Sequence, residues 1–196
     1  MVQITENERK ALLILFKNIT TYYNANSLSK QLDISHVGTQ KILKRFHDEN
    51  LTISKTIGKS IVHKPNFEND YTEKLISFLL ADEANKFKRF KKEFKTLSND
   101  KNIIMIYGSA IKNYKNAKDI DLMIISEEKS FKLLEKNIKE IQEILPKRIH
   151  TIILSKKDFL KNTEGEKTAI IDIIKNAIIL YGQDRYVKVI KNVTGF

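Results

Sequence analysis

The sequence predicts an α+β fold in two units, residues 1–66 and 67–196, and three observations carry that prediction. Apolar residues recur at helical spacing through the first third of the chain and again between residues 71 and 97. Two short strand-like runs flank Gly58. In the second half, apolar runs of strand length alternate with helical patterns around a Gly-Ser pair and an Asp-x-Asp triplet. Periods of about 3.6 and 2 residues distinguish helix from strand. The chain therefore reads as helices and a hairpin, followed by a small mixed sheet with flanking helices.

Taken in order, Glu6 to Lys17 form a first helix with an apolar stripe at Leu12, Leu13 and Phe16. Asn26 or Ser27 can cap a short second helix, and Asp33-Ile34-Ser35 makes the turn after it. Ser35 caps a third helix from His36 to about Asp48. Thr39, Leu43 and Phe46 share one face of it, with Ile34 just before, while His36, Gln40, Lys41 and Lys44 take the opposite face. Leu51 to Thr56 and Ser60 to His63 are strands around an Ile57-Gly58-Lys59 turn.

This order resembles the winged helix-turn-helix domains of prokaryotic regulators, over roughly residues 5–66. The resemblance implies a third helix in the DNA major groove and a hairpin wing on the backbone. Gln40 suits adenine edges, Lys41 and Lys44 suit guanine or phosphate, and Lys55 and Lys59 on the wing suit phosphate. His36 stands at the start of the same helical face. Ten basic residues against five acidic ones in this stretch favour an anionic partner over a protein-docking surface.

Pro65 to Asp70 is a break. A long helical stretch is then expected from about Tyr71 to Leu97, with Ile76, Leu80, Ala84, Phe87, Phe90, Phe94 and Leu97 as one buried stripe. Lysines crowd the rest of its second half, as a solvated face or a second anion contact.

Next comes an apolar strand, Ile103 to Tyr107, ending in Gly108-Ser109. After a gap of nine residues Asp119-Ile120-Asp121 opens a second apolar run, Leu122 to Ile125. Side chains alternate along a strand, so Asp119 and Asp121 share one face while Ile120 and Leu122 enter the core. Two carboxylates so placed suit a hard cation such as Mg²⁺. Backbone N–H groups after Gly108 are placed for the phosphates that such a cation bridges.

The stretch from Gly108 to Ile125 resembles the core motif of the DNA polymerase β-type nucleotidyltransferase superfamily, in its small prokaryotic form. Lys147 to Phe159 is similar to that family's third strand and the helix after it, and Ile170 to Gly182 to its closing helix, strand and Tyr-Gly turn. The resemblance covers about residues 102–191. It implies a Mg²⁺-dependent site that binds a nucleoside triphosphate, ATP being expected, at Gly108 and Ser109, with Asp119 and Asp121 holding metal. It also implies a third carboxylate on the next core strand. This chain departs there, because the matching position is His150, with Thr151 beside it. A neutral imidazole accepts a proton near pH 7 or ligates a softer metal; the alternative is an uninvolved residue at the strand end. Glu127, Glu128 and Asp158 are the nearest spare acids, just after strands.

A net charge of +11 makes nucleic acid or an anionic nucleotide the natural partner, although the lysines are spread along the whole chain. The absence of cysteine excludes disulfides and thiolate chemistry. The polar N-terminus and short apolar runs point to a cytoplasmic protein without a membrane span.

Three functions follow as expectations. One is a DNA-binding protein whose second unit binds Mg²⁺-nucleotide and transfers a nucleoside monophosphate to a hydroxyl. Another is a catalytically silent regulator, using that unit for nucleotide sensing or homodimerisation. The third is an antitoxin-like transferase acting on a HEPN-type partner protein. Loss of the third carboxylate leaves turnover open, since a general base contributes about 10²–10⁴-fold while phosphoryl-type transfer leans on positioning and charge.

Overall fold

Residues 4–164 and 168–193 are described in a computed structural model of the chain. The outer limits of the two expected units, at residues 1 and 196, and residues 165–167 inside the second lie outside the described residues. The first helix, α1 (Glu6–Lys17), opens with a capping box. Thr5 Oγ1 accepts from the Glu8 N–H, and the Glu8 carboxylate accepts from the Thr5 N–H. Its buried face is Ala11, Leu12, Leu15 and Phe16, with Leu13 only half-buried. Next is α2 (Ala25–Leu32), capped by Asn24 rather than by Asn26 or Ser27. Asn24 Oδ1 accepts from the Ser27 N–H at 2.8 Å, so Ser27 completes the reciprocal bond instead of capping the helix itself.

After a left-handed Asp33, Ser35 caps α3 (His36–Asp48), which buries Thr39, Ile42, Leu43 and Phe46. Strands β1 (Thr52–Ile57) and β2 (Ser60–Pro65) pair antiparallel around Gly58-Lys59. Tyr23, between α1 and α2, bridges to His63 and accepts its backbone N–H at 2.9 Å. The hairpin is thereby tied back to the helices.

The helical stretch expected as one run from Tyr71 to Leu97 is divided. It forms α4 (Asp70–Asn85), α5 (Lys88–Glu93) and a 3₁₀ turn over Lys95–Leu97, with Phe87 leaving helical geometry at φ −107°, ψ 47°. The reason lies in the sheet. Ile76, Leu79 and Leu80 of α4 enter one apolar core, whereas Ala84 near its end and Phe90, Phe94 and Leu97 beyond it enter another. A straight helix holds its apolar stripe on one side only. The turn at Lys86-Phe87 lets one continuous stripe serve both cores.

The second sheet contains β3 (Ile103–Tyr107), β4 (Asp119–Ile125), β5 (Arg148–Leu154) and β6 (Ile178–Tyr181), in the order β5-β4-β3-β6. Only β4 and β5 are parallel. A one-turn helix, α6 (Ser109–Lys112), joins β3 to β4; α7 (Phe131–Ile144) makes the crossover to β5. Beyond β5 come α8 (Lys156–Glu164), α9 (Thr168–Asn176) and, after β6, α10 (Gln183–Lys191).

Alternation along the strands builds the two cores. Ile104, Ile106, Ile120, Leu122 and Ile124 pack with α5 and α7 residues, whereas Met105, Met123 and Ile125 share a core with α1, α4, α9 and α10. Phe16 of α1 meets Tyr186 of α10 edge-on at 5.9 Å. Helix α1 also carries buried Lys17, which pairs with the half-buried Glu83 at 2.7 Å. The N-terminal helices therefore share a core with the sheet. Among the described residues, no helix is long and apolar enough to cross a membrane.

Candidate functional site

The expected carboxylate pair lies at the end of the sheet where β3 stops and β4 starts. Pairing aligns Tyr107 of β3 with Asp121 of β4, and Asp121 with His150 of β5. Directly paired residues project from the same face of a sheet, and Asp119, two positions back along β4, shares that face. His150 Nδ1 lies 3.4 Å from Asp119 Oδ2 and 3.8 Å from Asp121 Oδ1. One donor atom from each of the three falls within 4.8 Å of the others. Among the described residues this is the one such group of three metal-ligating side chains.

Gly108 explains how Asp121 fits. Its backbone sits at φ 78°, ψ −156°, a region that side chains avoid. A Cβ on this residue would stand 2.1 Å from Asp121 Oδ2. The carboxylate therefore closes directly over the glycine, and the missing side chain makes room for it. Burial first, and then the charge of Asp119, push the Asp121 carboxyl above its ordinary range, while His150 pulls it back. Burial and the Asp121 charge raise the neighbouring Tyr107 phenol. Like charges held this close in a half-buried site favour a cation between them.

A clamp that sequence reasoning missed holds the loop leading into Asp119. The Arg89 guanidinium lies 3.5 Å from the Tyr114 ring centroid and donates to its hydroxyl at 2.6 Å. Lys147 Nζ sits 4.9 Å from the same centroid and donates to the Lys115 and Ala117 carbonyls. Phe90 meets the ring edge-on at 5.8 Å. Because Lys147 directly precedes β5, this clamp ties the strand of His150 to the loop of Asp119. Sequence spacing carries no signal for such a contact.

The spare acids stay elsewhere. Glu127 pairs with Lys101 and Lys129, and the bond from Lys129 is the chief cause that holds its carboxyl below the ordinary range. Asp158 accepts from Ser155 Oγ at 2.6 Å, in the first turn of α8. Glu128 is exposed in a 3₁₀ turn.

A concave feature of about 620 Å³ runs between α3 and the hairpin, away from the carboxylate pair. His36, Gln40, Lys44 and Lys59 line it together, while Lys41 and Lys55 are exposed outside it. Asn24, His47, Ile61 and His63 also line it, unanticipated from the sequence. Burial, then the nearby charge of His47, lowers the His63 imidazole below its ordinary value.

A strand, a glycine turn, and a second strand whose paired carboxylates share one face of a mixed sheet define a nucleotidyltransferase-type fold. Residues 89–186, half of the chain, match the family described as Polymerase beta, Nucleotidyltransferase. The chain belongs to that family. No curated protein matches it.

Proposed function

We propose that the chain binds a nucleoside triphosphate with a divalent cation at Gly108, Ser109, Asp119 and Asp121, and transfers a nucleoside monophosphate to a hydroxyl acceptor. The observation that carries this reading is the Asp121 carboxylate closed over Gly108, with Asp119 beside it on the same face. Both side chains keep exposed surface, 32% for Asp119 and 22% for Asp121, so a ligand can approach from solvent. The carboxylate oxygens fit a hard cation such as Mg²⁺; the imidazole of His150 does not fit an all-oxygen shell. When bound, the cation would neutralise phosphate charge.

The chain's own residues act by position. Gly108 makes room for the Asp121 carboxylate, and the Tyr114 clamp holds the loop from which Asp119 emerges. No carboxylate on β5 is there to take the proton of the attacking hydroxyl, which removes a contribution of about 10²–10⁴-fold in rate. Slow transfer with substantial nucleotide affinity is the expected behaviour. The same missing acid favours a second reading, in which the site senses nucleotide without turnover.

In either case the N-terminal region acts as a winged helix-turn-helix that binds DNA, with α3 as the reading helix. Support comes from the groove that joins His36, Gln40 and Lys44 of α3 to Lys59 of the hairpin. Labelled ATP with a divalent cation tests the site. Retention of label by native chain, lost in Asp119→Asn, is expected; label covalently passed to RNA or a co-purifying protein selects the enzyme. Failure to bind nucleotide at millimolar concentration removes both the enzyme and the sensor.

A further inference from the structure

We propose that the cation preferred by this site is a first-row transition ion of the Mn²⁺ class rather than Mg²⁺, with His150 Nδ1 as its third protein ligand. The inference rests on reading Asp119 and Asp121 as a cation site. It does not depend on nucleotide transfer.

Strand register is the starting point. Parallel pairing sets His150 beside Asp121, so the imidazole shares the face of both carboxylates instead of turning into the core. His150 is half-exposed, with water available to the rest of the ring, yet Nδ1 is directed at two carboxylate oxygens, 3.4 and 3.8 Å away. An ion about 2.0–2.2 Å from each of three donors spaces them roughly 3.0–3.5 Å apart. The observed spacing reaches that range after small rotations of exposed side chains.

Ligand chemistry then selects the ion. Mg²⁺ demands oxygen donors in near-ideal octahedral geometry and gives up its water reluctantly. Imidazole suits first-row transition ions better than Mg²⁺, and among them Mn²⁺ is the one that also takes a shell rich in carboxylate and water oxygens. Two carboxylates and one imidazole on a half-open face also leave coordination positions for phosphate oxygens or water.

The test uses the full chain, stripped with chelator and titrated with MnCl₂ in the absence of nucleotide, free Mn²⁺ being read by electron paramagnetic resonance. One Mn²⁺ should bind at least about tenfold more tightly than Mg²⁺ measured by competition, and the bound ion should show nitrogen-14 coupling from one imidazole. His150→Asp should remove that coupling and compress the Mn²⁺ preference by about tenfold while retaining Mg²⁺. Circular dichroism checks that the variant is folded, and His150→Gln serves if it is not. Equal affinity for both ions, absence of nitrogen coupling, or an unchanged preference in the folded variant would overturn the inference. Nucleotide binding that persists in any of these outcomes leaves the proposed function standing.

Discussion

Replacing Gly108 by alanine tests the contact on which the site is built. The native backbone at φ 78°, ψ −156° lies in a region costing a side-chain-bearing residue about 1–3 kcal/mol. The new methyl would also stand 2.1 Å from Asp121 Oδ2, so the carboxylate has to move. For a chain of this size each kcal/mol lowers the melting temperature by roughly 2–4 °C, giving a fall of roughly 2–12 °C. Dication affinity should drop at least about tenfold, because a ligand oxygen displaced by an ångström no longer closes the set.

Two other glycines separate the causes. At Gly58, φ is +59° and a Cβ meets nothing within 4 Å, so Gly58→Ala should cost about 1–2 kcal/mol and leave dication binding unchanged. At Gly182 a Cβ would meet the Asn102 carbonyl oxygen at 2.5 Å, near the opposite end of β3 from Tyr107. Gly182→Ala should therefore destabilise the fold while the folded fraction still binds the ion. Thermal melts and Mn²⁺ titrations of the three variants read all of this. A Gly108→Ala chain with native melting and native affinity would refute the claim that Asp121 closes over the glycine.

The Lys17 ammonium bonds the Glu83 carboxylate and the Ala177 carbonyl with its side chain 9% exposed. Lys17→Met should cost about 1–3 kcal/mol in urea unfolding, and Glu83→Leu added to it should recover part of that loss; equal stability of native and single variant would contradict a stabilising role for the pair. For DNA, Lys41→Ala with Lys44→Ala should lower the dependence of log affinity on log salt by roughly two units, measured on the promoter upstream of the chain's own gene; an unchanged slope would exclude these lysines from phosphate contact. Burial and His47 depress the His63 imidazole below its ordinary value of 6.5. The unfolded chain then binds a proton that the native chain refuses, so this contribution is complete above the unfolded value and is lost as pH falls from there toward the depressed native one. Urea unfolding across that window should show the decline, and His63→Phe should flatten it.

Local pattern determined much of this molecule from the sequence alone. Helices α1 and α3, the hairpin at Gly58, and strands β3 and β4 were legible because their periodicity, caps and turns depend on neighbouring residues. The shared face of Asp119 and Asp121 follows from strand alternation in the same way.

Where several local solutions compete, tertiary contacts decided. Asn24, Asn26 and Ser27 all carry capping side chains; Asn24 caps α2, directly after Tyr23, which bridges to His63. The stripe from Ile76 to Leu97 is unbroken as text, yet it bends at Phe87 because its two halves enter cores separated by the sheet. Tyr114 finds Arg89 and Lys147 only through the folded chain.

The sequence by itself determined that two carboxylates share a face beside a glycine turn, because covalent alternation along one strand dictates it. Only the tertiary structure decided that His150 turns Nδ1 onto both of them. That approach depends on the parallel register between β4 and β5, which is made by hydrogen bonds and packing between segments distant in the chain.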